Sequence, residues 1–397
     1  MNLLSEHISG WNTCEFGELV DKPKDKLDPK VQKDFLCIEL ENIEQELGLI
    51  NGFAISKGLS STKNRFKKSD TLFGKLRPYL KKYWYAEFDG GCSSEIWVLR
   101  AKREIINPKY LFYFVQCHRF IQATNVTSGS KMPRADWSFV STFPFTIPSI
   151  PEQQKIAEIL STSDKAIYTT RKLIDELKLR NKGLAQQLLS GKKRLQGFKG
   201  KWRSFCISDL FQLENRHIEW NENSNYNLIS IRRRYGGIFF RGSFHANEIQ
   251  VKKLKEIKLG DFLISKRQVS HGAWDVVSSE FDSFLVSDEY DCLSIKDNSV
   301  LSESFWQWYC RQPKMTNYAF LDSIGVHIEK LIFHFKQFKK RQVEIPRLKE
   351  QQAITSVLEE ANKELKLHQQ QLDTLKEQKK GLMQKLLTGE KRVKTNN

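Results

Sequence analysis

The sequence predicts an α+β protein with a pseudo-twofold internal repeat: two globular domains separated by two long helices that pair as an antiparallel coiled coil. Three observations carry this expectation. A 48-residue stretch is written twice, 198 positions apart. Each copy has apolar residues at the spacing of a coiled-coil seam. Each is preceded by a domain-sized segment mixing strand-like and helix-like runs.

The repeat sets the frame. Residues 147–194 read IPSIPEQQKIAEILSTSDKAIYTTRKLIDELKLRNKGLAQQLLSGKKR, and residues 345–392 read IPRLKEQQAITSVLEEANKELKLHQQQLDTLKEQKKGLMQKLLTGEKR. They share 20 identities without a gap, gathered at the two ends, which marks a duplication. A weaker echo runs ahead of each copy: Trp11 with Trp202, GEL (17–19) with SDL (208–210), and DTLFGK (70–75) with DFLISK (261–266). The layout is therefore residues 1–150 as a first domain, 151–196 as a first helix and linker, 197–348 as a second domain, and 349–397 as a second helix and tail. Units of this length are whole domains, not solenoid repeats.

Within the repeat, the positions Ile156, Leu160, Ser163, Ile167, Thr170, Ile174, Leu177, Asn181, Leu184 and Leu188 step by fours and threes, the 3.5-residue period of a coiled-coil seam. The second copy matches with Ile354, Leu358, Ala361, Leu365, His368, Leu372, Leu375, Lys379, Leu382 and Leu386. Prolines stand ahead of each run, and Gly191 and Gly389 sit where a C-terminal cap favours positive φ. A helix over about 152–190 is roughly 58 Å long at ~1.5 Å per residue. A plain spacer would have no use for the identities repeated at the helix ends, Glu152, Gln153, Gln154, Leu188 and Leu189, or Glu350, Gln351, Gln352, Leu386 and Leu387. Those residues are expected to be read by a second protein, present in two copies.

In the preceding domains, CSSEIWVLRAK and SFLVSDEYDCLSIKD read as strands. NPKYLFYFVQCHRFIQAT and LSESFWQWYCRQPKM read as buried helical runs. Away from these landmarks the two domains hardly resemble each other, as expected if each recognises something different.

The charge says what kind of thing. Lys and Arg number 64 against 47 Asp and Glu, a net +17, which points to a polyanion. Basic residues cluster with aromatics in KNRFKK, KLRPYLKKYWY, SGSKMPR, IRRRYGGIFFR and KRQVSHGAW. Arg and Lys supply phosphate contacts, while Arg, Lys, Gln, Asn and Ser can read base edges. The candidates for DNA contact are Lys75, Arg77, Lys81, Ser130, Lys131 and Arg134 in the first domain. In the second they are Arg232, Arg233, Arg234, Lys266, Arg267, Gln268 and His271. For any single cluster, a merely solvated surface is the alternative.

Catalytic signatures are missing from the sequence. There is no glycine-rich phosphate loop, no nucleophile elbow and no spaced metal-ligand set, so no catalytic residue and no metal site is expected. NPKY (107–110) superficially resembles a methyltransferase tetrapeptide but opens an aromatic run, and reads as a helix start. The seven cysteines are scattered without a C-x-x-C, as reduced core thiols in a cytoplasmic protein would be. No signal peptide and no membrane span are expected.

Taken together, two dissimilar domains, each followed by a helix running IP…EQQ to LL-G-KR, resemble the specificity subunit of type I restriction–modification enzymes. The motifs D-x-LFGKLRP (70–78), NPKYLFYF (107–114), SGS-KMPR (128–134) and IPSIPEQQKIAEIL (147–160) carry the resemblance, which spans essentially the whole chain. The second half departs from it. DFLISKRQV replaces the LRP stretch, and LDSIGVHIEKL (321–331) shows no SGS-KMPR loop.

The resemblance implies two target-recognition domains, each reading one half of a bipartite sequence in double-stranded DNA. It implies helices that hold the halves apart and dock two modification subunits, and through them restriction subunits. S-adenosylmethionine would then belong to the modification subunits, and ATP and Mg to the restriction subunits, with no cofactor bound by this chain. Readers held on one face of B-DNA would place half-sites roughly 10 bp apart, centre to centre. Two other readings stay open on the sequence alone: a stand-alone DNA-modifying enzyme, and a coiled-coil scaffold that does not bind DNA.

Overall fold

The computed structural model describes residues 10–32, 34–57, 59–126 and 132–394. It divides into two compact units that do not follow chain order. One comprises Met1–Lys172 with Gln369–Asn397, the other Leu173–His368. Each unit is therefore one domain, the start of the helix that follows it, and the end of the helix from the other half.

In the first unit, Asn12–Glu15 pairs antiparallel with Pro144–Ile147, placing Asn12 opposite Ile147. A four-stranded sheet runs in the order Val20–Asp21, Ile96–Ala101, Thr71–Gly74, Tyr83–Tyr85. A five-stranded sheet runs Lys26–Leu27, Lys63–Phe66, Gly90–Cys92, Leu36–Ile38, Ala54–Ile55, with one parallel pairing. Phe16, Tyr110, Phe114, Phe120 and Phe145 form an aromatic core. The Phe114 and Phe145 rings meet edge-on at 4.9 Å, a favourable arrangement.

The second unit repeats the frame. Arg203–Cys206 pairs with Gln342–Ile345, placing Arg203 opposite Ile345. One four-stranded sheet runs Phe211–Glu214, Tyr290–Ile295, Phe262–Ser265, Trp274–Val276. A second runs Ile238–His245, Asn225–Ile231, Leu285–Ser287, Leu254–Glu256. The long hairpin formed by its first two strands has no counterpart among the described residues of the first unit.

Both helical runs break in two. NPKYLFYFVQCHRFIQAT becomes Pro108–Phe114 and His118–Thr124, and LSESFWQWYCRQPKM becomes Glu303–Tyr309 followed by the start of Pro313–Leu321. Pro313 explains the second break, since proline is accommodated at a helix start but not inside one. Asn107 accepts from the backbone N–H groups of Lys109 and Tyr110 with Pro108 behind it, so NPKY is a helix start as the sequence suggests.

The repeated aspartate is used alike but paired differently. Asp70 and Asp261 are both buried. Each accepts a backbone N–H three residues upstream, from Lys67 at 2.7 Å and Lys258 at 2.8 Å. Asp70 also takes two bonds from Arg100 at 2.9 and 2.8 Å, whereas Asp261 takes two from Arg216 at 2.6 and 3.0 Å. These arginines lie on non-equivalent segments, and a buried carboxylate demands a cation from wherever one can reach.

The long helices are Ile150–Leu189 and Leu348–Leu387, 40 residues each and offset by the repeat distance. In the first, Ile156, Leu160, Ile167, Thr170, Ile174, Leu177 and Leu188 are buried, while the positions facing away are exposed. Gly191 and Gly389 follow their helices at φ +69° and +71°, the left-handed cap that favours glycine. Among the described residues, no helix is long and apolar enough to cross a membrane.

Candidate nucleic-acid interface and docking helices

The start of each long helix is bolted to its own domain by a buried glutamine. The Gln153 side chain accepts from the Asn107 backbone N–H at 2.7 Å and donates to the Ile105 and Pro148 carbonyls at 3.0 and 2.9 Å. Gln351 accepts from the Ser302 N–H at 2.8 Å and donates to Val300 and Pro346 at 2.7 and 2.9 Å. Asn107 and Ser302 are the N-caps of the aromatic helices, so one amide fixes helix, cap and strand end together.

The neighbouring glutamate is a latch. Glu152 receives two bonds from Arg392 at 2.6 and 2.7 Å, and Glu350 receives two from Arg194 at 2.5 and 2.6 Å. Each arginine also lies over the entrance tryptophan of that unit. Arg392 is 5.7 Å from the Trp11 ring centre, and Arg194 is 5.8 Å from Trp202. Leu386 and Leu387 sink into the first aromatic core, and Leu188 and Leu189 into the second.

This changes the reason for the repeated ends. Glu152, Gln153, Leu188, Leu189, Glu350, Gln351, Leu386 and Leu387 are buried against their own chain, so their recurrence has an intrachain cause and they offer no face to a partner. Gln154 and Gln352 are exposed and remain available to one. Sequence reasoning missed Arg194 and Arg392 as their partners. The signal was present in the matched KR endings and the matched Trp11 and Trp202.

The helix pair is antiparallel in each unit, and its polar seam residues are not equivalent. In the first unit, Lys379 pairs with Asp164 at 2.6 Å. Asp164 also accepts from the Tyr113 hydroxyl at 2.6 Å. Burial, then the nearby Asp164 carboxylate, hold the Tyr113 phenol well above its usual range. In the second unit, Asn181 donates to the Ala361 carbonyl at 2.7 Å, and the counterpart of Asp164 is the neutral Asn362.

In the first domain, the structure brings Lys75, Arg77 and Arg134 together. The Arg77 N–H donates to the Pro133 carbonyl at 2.8 Å and the Ala135 N–H to that of Lys75 at 2.9 Å, so the two segments lie side by side. Arg134 is exposed and held by Glu95, with Nε 3.0 Å from Oε2. Arg77 is exposed at φ +51°, opening the short turn Pro78–Leu80. Lys81 closes that turn and is engaged by Glu46 at 2.7 Å. Ser130 and Lys131 lie outside the described residues.

The second-domain candidates also converge. The turn 232–237 of the long hairpin lies against residues 268–272. The Arg234 N–H donates to the His271 carbonyl at 2.7 Å, and the Tyr235 N–H to that of Gly272 at 3.0 Å. Arg233 donates to Gln268 at 2.6 Å and to Glu329 at 2.8 Å, and His271 Nε2 lies 3.4 Å from Glu329. Arg232 stacks over Phe239 at 4.2 Å. Arg267 is paired with Glu289, and Lys266 stands 3.7 Å from Asp291. Burial raises the Asp291 pKa, with Lys266 among the opposing influences. Arg233, Arg267 and Lys266 are thus partly spent on carboxylates, while Arg232 and Arg234 have no ion pair among the described residues. Glu329, which organises the group, was not singled out from the sequence.

The two domains share one backbone device beneath these surfaces. The Phe333 N–H donates to the Lys266 carbonyl at 2.9 Å, as the Ala135 N–H does to that of Lys75. LDSIGVHIEKL therefore leads into the same place in its domain that SGS-KMPR leads into in the first, although no sequence motif says so. Among the described residues, no cluster of His, Cys, Asp and Glu could hold a metal.

A family model described as the type I restriction modification DNA specificity domain matches residues 9–179 and 199–377. The specificity subunit of the type I restriction enzyme EcoDI of Escherichia coli is 25% identical over 219 residues, covering 54% of this chain and 46% of that protein. The chain thus spans less than half of that relative's length. The MjaVIII specificity subunit of Methanocaldococcus jannaschii is 22% identical over 335 residues, covering 78% and 76%. A chain from a solved structure on complex assembly and conformational transition of the type I R-M system has the same fold. Its TM-score is 0.61 at 18% identity, covering 96% of this chain and 98% of that one.

Proposed function

This chain belongs to the type I restriction modification DNA specificity family, and from that membership we propose that it is the address-carrying subunit of a multisubunit DNA methyltransferase. Each domain reads one half of a split sequence in double-stranded DNA. The chain itself performs no chemistry.

One observation supports this above the rest. At matched backbone positions, fixed by the same Lys75–Ala135 and Lys266–Phe333 hydrogen bonds, the two domains display different basic surfaces. A duplicated frame holding unlike readers suits an asymmetric, two-part target. The flanking arginines and lysines suit phosphate contacts, whose hallmark is a steep salt dependence.

In this reading the partners are two modification subunits, which bind S-adenosylmethionine and methylate adenine at N6. They dock on exposed helix positions such as Gln154 and Gln352. Restriction subunits, carrying ATP and Mg, join through them, and the whole acts in the cytoplasm.

The test is genome-wide adenine methylation, mapped by single-molecule sequencing with the gene for this chain present and deleted. A split motif that disappears on deletion supports the proposal. A motif that persists, or a continuous one, counts against it. A reconstituted complex that ignores DNA at every salt concentration would leave the scaffold reading.

A further inference from the structure

Six exposed large apolar side chains fall within thirteen consecutive residues of the second domain: Phe320, Leu321, Ile324, Val326, Ile328 and Ile332. Val326 is 100% exposed and Ile324 65%. Scattered apolar residues on a surface need no explanation, but a contiguous group marks an interaction site.

Phe320 and Leu321 end the helix Pro313–Leu321, and Ile324, Val326, Ile328 and Ile332 are displayed on the firmly rooted hairpin that follows. Ser323–Ile324 pairs antiparallel with Ile332–Phe333. Phe333 is buried in the domain core, and its N–H is the one held by the Lys266 carbonyl. The His334 N–H donates to the Asp322 carbonyl at 2.9 Å, and the Asp322 side chain takes two bonds from Arg341 at 2.9 and 2.7 Å. The neck is narrow: a Cβ on Gly325 would stand 2.6 Å from the Lys330 carbonyl oxygen, so only glycine fits. Glu329, on the flank, ties the hairpin to Arg233 at 2.8 Å and lies 3.4 Å from His271. Lys330 lies on the hairpin itself, and Arg232 and Arg234 flank Arg233 in the turn that Glu329 reaches; none of the three has an ion pair among the described residues.

We propose that this hairpin enters the major groove of the half-site read by the second domain, seating Val326, with Ile324 and Ile328, against thymine C5-methyl groups. Arg232, Arg234 and Lys330 meet the flanking phosphates. The inference rests on the DNA-reading function proposed above. A two-stranded ribbon, with strands ~4.8 Å apart, fits a groove about 12 Å wide. An apolar tip cannot exchange hydrogen bonds with a base edge. Among the four unmodified bases, only thymine offers an apolar group there. The uncommitted cations on the flank favour a polyanion over an apolar protein surface. It follows that the half-site read by the second domain contains at least one A·T pair.

The experiment uses the full chain reconstituted with its modification subunits. The split site is first selected from random duplexes. Each thymine of the second half-site is then replaced singly by deoxyuridine, which removes the methyl group alone. Wild type is expected to lose affinity about 3- to 10-fold at one position or more, the worth of one or two buried methyl groups. In Val326→Ser, a change at a wholly exposed position that leaves the fold intact, thymine and deoxyuridine are expected to bind equally. Lys330→Gln is expected to weaken binding to all duplexes alike and to flatten the salt dependence.

The proposal is overturned if deoxyuridine has no effect anywhere, or if the half-site lacks A·T pairs. It is also overturned if Val326→Ser weakens assembly with the modification subunits in the absence of DNA, which would make the tip a protein contact. Failure of the underlying reading looks different: the wild-type complex would then select no split duplex at all.

Discussion

Glu152 and Arg392, 240 positions apart in the chain, form a two-bonded ion pair at 2.6 and 2.7 Å. Its repeat-related twin joins Glu350 to Arg194. The end of one half thus fastens the beginning of the other half's helix, twice over. The carboxylates are 3% exposed as residues, while the Arg392 side chain is 45% exposed, so solvent weakens the pairing from one side only. Arg392→Ala is expected to cost about 1–3 kcal/mol, the usual consequence of leaving a buried polar group unsatisfied. The loss should be local. Hydrogen exchange should speed up around Trp11 and the first turns of the Ile150–Leu189 helix, with no change near Glu350.

Gln153 and its neighbour Gln154 separate stability from docking. Gln153→Ala leaves the Asn107 N–H and two carbonyls without their partner and is expected to cost about 2–4 kcal/mol, read from urea unfolding. Gln154→Ala is expected to leave unfolding unchanged and to weaken co-purification with the modification subunits. If both variants unfold like wild type, the bolt is not needed. If Gln154→Ala assembles normally, that glutamine is not a docking residue.

The charged seam of the first unit has a neutral counterpart in the second, which suggests a double-mutant cycle. Asp164→Asn alone leaves Lys379 without its carboxylate, and Lys379→Asn alone leaves Asp164 without its cation, although it keeps the Tyr113 hydroxyl. Either single change is expected to cost about 1–3 kcal/mol, since the Lys379 side chain is nearly buried while that of Asp164 is 30% exposed and partly screened by solvent. The double change imitates the Asn181 and Asn362 arrangement of the other unit and is expected to cost less than the sum by at least about 1 kcal/mol. Additive costs would mean that the pair does not act as a unit.

The thiols give a pH test. Burial pushes the Cys37 and Cys292 thiols up to about 12, and Cys92 and Cys310 are raised further. A raised thiol pKa means that the reactive thiolate is scarce until the pH approaches that value. In native protein at mildly alkaline pH, these four are therefore expected to resist iodoacetamide, and to react once the protein is denatured. Labelling of any of the four in native protein, read by mass spectrometry, would contradict the packing described.

Much of the frame was legible from the repeat, because a coiled-coil seam is a one-dimensional signal. Ile156 through Leu188 mark it at 3.5-residue spacing, and Gly191 and Gly389 mark the helix ends. The long-range partners were not legible. Nothing in the letters says that Arg392 reaches Glu152, or that Gln153 turns inward while Gln154 turns out, since the partners of Gln153 are backbone groups of Ile105 and Asn107, 48 and 46 positions away. The basic clusters were visible as composition. Which of them gather was not: Arg233 bonds Gln268 directly and is joined to His271 through Glu329, a residue with no motif around it. The apolar hairpin around Val326 lay in the stretch where the family motif failed, and only its exposure gives it meaning.

The most direct measurement of the central claim exchanges one reader and keeps the other. Residues 1–150 are replaced by the first domain of a relative, and adenine methylation is mapped across the genome. The account predicts that one half of the split motif changes while the other half and the spacing between them stay the same. A motif that changes in both halves, or in neither, would contradict it.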